Sequence, residues 1–364
     1  RLLDRGDPYR RKAEELLPIV SGYDSEMVRL GLTEYFKTFR KPELAKFLSE
    51  DFANPQILDD FQPVPKGGFA RAFGPDLLVH IWAGNVPGLP LWSFVSGLLV
   101  KAGSIGKVPS AEPLFAGWFA RLLAEIEPDL AECFAVVWWQ GGDTASEGAL
   151  LGEADTVLAY GGNDSLAAIY DQQGCYSPHL FFVERGGKIS PQEFSRNLAH
   201  ELACFEEKFP RRSLTIAESG DVAAWRHAEE MKSLSQPDRE LMGDAAGAWS
   251  VAYVEEAEEL APSGLNRTIR VVAIDDLRDT IPLIAPFKAL LQTVGIAAAP
   301  EALFRLAALL GEVGVTRISA LGRMSAPEAG WHHDGRFNLL DLVTLTEIER
   351  SAEQSAETFA PYVD

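Results

Sequence analysis

No stretch of this chain stays apolar long enough to cross a bilayer. The longest such runs, of which "CFAVVWW" at 133–139 is typical, fall far short of the ~20 residues a membrane helix needs. Positive charge is scarce too: 33 Lys and Arg stand against 53 Asp and Glu, a formal net charge of −20. That balance opposes nonspecific binding to nucleic acid or anionic lipid, so an anionic ligand must be held by local donors. Cysteine is limited to Cys133, Cys175 and Cys204, whose wide spacing forms neither a zinc pattern nor an even disulfide framework. Such usage fits a reducing, cytoplasmic compartment. The charged opening "RLLDRGDPYRRKAEELL" has no apolar core, so no secretory signal is expected, and the initial Arg1 in place of Met leads us to expect a missing N-terminal piece.

What is present describes an ordinary globular protein. Hydrophobic residues make up 47% of the chain, and its 364 residues exceed what one compact core usually holds, so two domains are expected. Residues 1 to about 60 read as helices, with Asp7-Pro8 and Asp24 as start signals. From about residue 74 the pattern changes. Strand-like "DLLVHIWAG" (76–84), "SIGKV" (104–108), "CFAVVWW" (133–139) and "DTVLAYGG" (155–162) alternate with helical 90–103, 111–126 and 143–154. Alternation on that scale predicts βαβ units and a doubly wound parallel sheet. Ligands of such sheets lie beyond the carboxyl ends of the strands, here Asn85, Lys107 to Ser110, Gly141-Gly142 and Gly161 to Asp164. A second α/β unit follows: strand "HLFFVE" (179–184), helix 190–209 carrying Cys204 among apolar positions, strands 249–256 and 267–277, helix 299–314 and strand 315–322. The polar tail 351–364 is expected to pack at an edge or interface.

One thiol stands out. "YDQQGCYSPHLFFVE" sets Cys175 between Gly174 and Ser177-Pro178, a turn leading into a strand. Structural cysteines sit among apolar neighbours, whereas a reactive one needs a partly open site that favours the thiolate. On the residues alone the structural reading is the commoner one, and Cys133, in an apolar strand, and Cys204 keep it. The Gly161-Gly162 pair would let backbone approach a pyrophosphate, with Asn163-Asp164 opening a helix, although a plain strand-to-helix turn fits equally. In "GWHHDG" (330–335) the adjacent His332 and His333 cannot share one face, and no third ligand lies at zinc spacing, so no metal is expected.

In order, "AGNVPGLPLW", "GKVPSAEP", "WWQGGD", "VLAYGGND", "QQGCYSP", "APSGLNRTIRVV", "LLQTVGIA", "GVTRISALGRM" and "GWHHDGRFNLLDLV" resemble the aldehyde dehydrogenase superfamily, and most closely its bacterial acyl-CoA reductases, which include the fatty-acyl reductase of bacterial luminescence. The resemblance covers nearly the whole chain. It implies an α/β, aldehyde-dehydrogenase-like fold of two doubly wound domains, divided here as 1–168 (helices plus nucleotide-binding domain), 169–335 (catalytic domain) and a tail at 336–364. It also implies an acyl-CoA reductase in which the Cys175 thiolate attacks the thioester and releases CoA. Hydride from a nicotinamide then reduces the acyl-enzyme to aldehyde. Asn85 matches the amide donor of the oxyanion hole. Lys107 matches the residue at the adenosine ribose, with Ser110 able to bind phosphate, while Gly161, Gly162 and Asn163 match the pyrophosphate turn. NADPH is the implied cofactor and NADH the alternative. Glu112 lies near the position where NAD-preferring relatives use a carboxylate, and the extra residue after Lys107 is expected to swing it away. His179 is expected to start the strand rather than to serve as a base. An acyl-activating synthetase and homo-oligomerisation through the C-terminal strand region are implied as well. The rival readings are an aldehyde dehydrogenase working oxidatively and a non-catalytic acyl-binding subunit.

The chain departs from the family at one place. Thirteen positions separate Gly162 from Cys175, where the superfamily has several dozen residues including the dehydrogenases' general-base glutamate. So short a stretch cannot supply a helix, a return strand and a crossing into the second domain. A segment left out of the numbering is expected in preference to a true deletion, and the lack of a base glutamate therefore carries no weight.

Overall fold

The computed structural model describes residues 1–82, 88–110, 112–140, 143–160, 178–257, 263–324 and 326–359. Contacts divide the chain into two units, the first formed by 1–21, 30–161 and 328–364 and the second by 22–29 and 162–327.

The chain opens with helices α1 (Pro8–Ser21), α2 (Ser25–Lys37) and α3 (Lys41–Asp51). As the sequence predicts, Asp24 caps α2: its carboxylate accepts from the N–H groups of Glu26 and Met27 at 2.9 and 3.2 Å. Strands β1 (Gln62–Pro63) and β2 (Phe69–Phe73) pair antiparallel before the main sheet of the first unit begins. That sheet comprises β3 (Leu77–Ile81), β4 (Gly103–Lys107), β5 (Phe134–Val137) and β6 (Thr156–Ala159), with α4 (Leu89–Leu99), α5 (Phe115–Ile126) and α6 (Thr144–Glu153) between successive strands. All pairings are parallel and the order is β5-β4-β3-β6. The chain thus winds outward from β3 through β4 to β5 and returns to β3's other side, a reversal that marks a ligand-binding crevice.

Glycine lets a large ring lie across the sheet of this unit. A Cβ on Gly106 of β4 would lie 1.8 Å from the Trp82 indole, so the ring rests on bare backbone. Next to it, α4 is cemented by aromatics: Trp92 stacks on Phe39 at 4.6 Å between ring centroids and meets Phe47 at 5.0 Å. Leu78, Val100, Ala102 and Leu339 extend the core under β2.

In the second unit, β7 (Leu180–Glu184) leads to α7 (Pro191–Lys208) and α8 (Ile216–Ser235), followed by β8 (Arg239–Gly243), β9 (Ser250–Val254) and β10 (Thr268–Ile274). The order is β7-β10-β9-β8, parallel except for β8. Every residue of β9 and β10 is buried, as expected for central strands covered on both faces. Both long helices start with complete capping boxes, Ser190 with Glu193 and Thr215 with Glu218. Glu229 of α8, itself buried, pairs with Arg270 of β10 at 2.6 Å and with Arg239 of β8 at 3.7 Å, tying helix to sheet. Beyond α9 (Thr280–Ile284), β11 (Thr293–Ile296) and β12 (Arg317–Ala320) form a parallel pair joined by α10 (Pro300–Glu312).

The chain then re-enters the first unit, where β13 (Thr344–Ile348) pairs antiparallel with β2 and α11 (Arg350–Phe359) follows. Residues 328–335, read from sequence as the close of the catalytic domain, pack here, because the buried Asp51 carboxylate collects this segment. It accepts from the N–H of Leu340 at 3.0 Å, from that of Leu339, and lies 3.2 Å from His332 Nε2. His333 stacks against Trp331 at 5.1 Å.

Two expectations need correction. Cys133 is not in the strand: it closes a 3-10 turn over Pro128–Cys133 and is exposed, since β5 begins one residue later at Phe134. Cys204 does lie on α7 but on its solvent face, 3.7 Å from His200 Nε2 one turn earlier.

Candidate active site

The strand order reverses at β3, so the candidate site lies at the carboxyl ends of β3, β4 and β6. Lys107 ends β4, and its half-buried side chain lies over the Trp139 ring with Nζ 5.9 Å from the centroid. No carboxylate lies within ion-pair distance of Nζ among the described residues. Ser110, three positions on, is exposed.

Glu112 has turned the other way. Its carboxylate accepts from the backbone N–H groups of Leu114 and Phe115 at 3.0 and 2.9 Å, capping the first turn of α5. Only 2% of the residue is exposed, and burial raises its pKa against those two hydrogen bonds, while Oε2 has no partner among the described residues. The extra residue between Lys107 and Glu112 gives the chain the slack to do this. The negative charge next to Lys107 is therefore spent on a helix end, and the one free cation at the end of β4 faces no carboxylate among the described residues.

Beneath α4 lies a buried polar group that sequence reasoning missed. His80 of β3 is 2.7 Å through Nδ1 from Ser93 Oγ, and the Tyr160 hydroxyl, directly after β6, also bonds to Ser93. The available signal was a histidine inside the apolar run "LLVHIW".

Of the other predicted site residues, Cys175, Asn85, Gly161, Gly162 and Asn163 lie outside the described residues, as do Gly141-Gly142. His179 directly precedes β7, and its carbonyl accepts from the N–H of Arg270 at 3.2 Å, so it extends the ladder. Its Nδ1 is 3.3 Å from Ser263 Oγ, and burial lowers its pKa. A cavity of about 470 Å³ in this unit lies at the opposite end of β7, between Arg185, Lys188, Ser190 and Glu255. Arg185 there is paired with Glu255 and Asp275.

A model of the acyl-CoA reductase (LuxC) family matches the chain over residues 3–169 and 166–345. The chain belongs to this family. The two stretches meet within the interval 162–175 that is too short for the superfamily's pattern. Relatives behave alike: the long-chain acyl-protein thioester reductase 2 of Photobacterium leiognathi is 24% identical over an alignment of 404 residues, longer than this chain, covering 95% of it and 80% of the relative. The relative thus carries residues with no counterpart here. The long-chain acyl-protein thioester reductase of Vibrio harveyi is 22% identical over 95% of this chain and 80% of its own. Among solved structures, aldehyde dehydrogenase 21 from Physcomitrella patens aligns with a TM-score of 0.62 at 13% identity, covering 93% of this chain and 82% of that one. The NAD-dependent benzaldehyde dehydrogenase of Corynebacterium glutamicum gives 0.58 at 14%, covering 93% and 81%. The fold is therefore that of the aldehyde dehydrogenases, α/β with parallel sheets, as the family motifs implied.

Proposed function

We propose that this member of the family is an NADPH-dependent reductase of long-chain acyl thioesters, releasing aldehyde. The observation that carries the reading is a family match running through both units, with named relatives that are all long-chain acyl-protein thioester reductases. Acyl-CoA, the thioester in the family's description, and an acylated synthetase are the two donors the reading admits, in a cytoplasmic setting.

Cys175 is the nucleophile. Its thiolate adds to the thioester carbonyl, the oxyanion is met by the Asn85 amide, and collapse expels the donor thiol, leaving an acyl-enzyme. A bound nicotinamide supplies the hydride that takes the acyl carbon to the aldehyde level. Cleavage of the C–S bond then frees the aldehyde and restores the thiol of Cys175. The first unit suits such a cofactor: a parallel sheet reverses its order at β3, and Lys107 and Ser110 stand at the adjacent strand end with Glu112 withdrawn. Those two residues hold the ribose and its 2′-phosphate, and Gly161, Gly162 and Asn163 the pyrophosphate. The withdrawal of Glu112 is what favours NADPH over NADH, because a carboxylate beside a 2′-phosphate would repel it.

The test follows NADPH absorbance with decanoyl-CoA and, separately, with a protein-bound decanoyl thioester, for the wild type and Cys175→Ser. Aldehyde formation by the wild type alone is expected. Acylation of Cys175 without NADPH loss would reduce the chain to an acyl-binding subunit, and no acylation would remove Cys175 from the chemistry.

A further inference from the structure

Three polar side chains meet where the strand order reverses, and the reaction steps above use none of them. His80 is fully buried in β3, in contact range of the Trp82 and Phe94 rings, with 5.8 and 6.3 Å between centroids. Burial pushes its pKa down to about 4, so the imidazole is neutral at physiological pH. A neutral imidazole offers one donor and one acceptor. Nδ1 is engaged by Ser93 at 2.7 Å, while Nε2 has no partner among the described residues. An apolar side chain here would avoid that unmet group, so the polar gain the histidine brings at this position is its bond to Ser93.

Ser93 lies on α4, 2% exposed, and bonds also to the Tyr160 hydroxyl. Tyr160 leaves β6, and its N–H donates to Ile81 O at 2.9 Å. A single hydroxyl thus joins three elements: β3 through His80, α4 through Ser93 itself and the exit of β6 through Tyr160. The helix has no slack against the sheet at this point. A Cβ on Gly97, one turn after Ser93, would sit 3.2 Å from His80 Nε2 and 2.3 Å from Ser104 Oγ. Gly97 sets how close α4 lies, and Ser93 sets its register along β3.

We infer that His80, Ser93 and Tyr160 form a positioning chain that holds α4 and the end of β6 in fixed relation to β3 at the strand reversal, and that dinucleotide affinity depends on that relation. The inference rests on the nucleotide-binding part of the proposed function. None of the three is a catalytic residue, since each acts through the elements it holds.

The test measures NADPH dissociation constants by fluorescence titration without substrate, alongside melting temperature and steady-state kinetics. Tyr160→Phe and Ser93→Ala are each expected to weaken NADPH about tenfold, the scale of one hydrogen bond, raising KM for NADPH and leaving kcat within about twofold. The double variant should be no worse than the weaker single one, because the residues share one chain. His80→Asn, which keeps a polar atom near the Nδ1 position, should bind NADPH more tightly than His80→Leu. Unchanged NADPH affinity with a lowered melting temperature would reduce the group to fold stability and overturn the inference, as would fully additive losses. Tyr160→Phe removes one oxygen from a half-buried ring, and so decides the matter if Ser93→Ala does not fold. Wild-type protein that binds NADPH but reduces no thioester would defeat the reductase reading and leave this test intact. Wild-type protein that binds neither NADPH nor NADH would defeat the inference itself.

Discussion

In the proposed reading, the smallest scale at which cofactor choice would be set is one lysine and one glutamate. Lys107 and Glu112 are five positions apart, yet the first ends β4 and lies over Trp139 while the second is folded into the start of α5. A cation with no carboxylate near it among the described residues is matched to a dianionic group more than to a pair of hydroxyls. Lys107→Ala is therefore expected to raise KM for NADPH by about 10- to 100-fold, the loss of one charge-assisted hydrogen bond, and KM for NADH several-fold less. Steady-state kinetics with both cofactors checks this, and equal losses would place Lys107 away from the 2′-phosphate. The place of the lysine was legible in the sequence, because it closes a short apolar strand in a βαβ pattern, at the end of β4. The role of Glu112 was half legible: slack in the loop was visible, but its destination depends on which backbone N–H groups the fold leaves unpaired. His80 and Ser93 were not legible as a pair, since their contact joins a strand to a helix thirteen residues on.

At the scale of elements, local signals performed well where one residue decides the outcome. Asp24 and Ser190 each start a helix as their side-chain oxygens predict, and the alternation of apolar strands with helices placed β3 to β6 and their parallel order. Thr215 and Glu218 show the same capping pattern for α8, a twenty-residue helix that the sequence reading passed over because its charged and apolar residues interleave. This helix start also carries a pH dependence. Arg212 and the Thr215 backbone hold the Glu218 carboxyl down at about 2, against an ordinary value of 4.5. A lowered folded pKa means that the unfolded chain binds more protons through this window. Its contribution to stability is thus complete above about pH 4.5 and is lost as pH falls toward 2. Urea unfolding of the wild type and Glu218→Gln across that range should show a shallower loss with acid in the variant. Parallel slopes would mean that the ion pair contributes nothing to acid sensitivity.

For the whole molecule, the fold class was legible because both units repeat one rule, strands alternating with helices into a mainly parallel sheet, and the family motifs fall in order along it. The arrangement that brings β13 back beside β2 was not: it pairs residues 271 positions apart, as in Thr344 opposite Phe73, and no local pattern encodes such a distance. That strand governs assembly in our reading. Every residue of β13 is exposed, Leu345 by 49%, and among the described residues only β2 pairs with it, so one edge of backbone N–H and C=O groups is open. Natural proteins leave such an edge open when another chain covers it, and otherwise blunt it with inward charge. A second copy is the occupant the family resemblance implies. Two copies each bearing −20 repel at long range, so the contact must be short-ranged and apolar or backbone-mediated, and salt should strengthen it by screening, the Debye length falling to about 10 Å at 0.1 M. Sedimentation equilibrium is expected to show a homo-oligomer that tightens with salt, and Leu345→Lys combined with Ile348→Lys should yield monomer with an unchanged melting temperature at low protein concentration. An oligomer that survives both lysines would place the interface on another face, and one that salt dissociates would make it electrostatic and overturn the apolar reading.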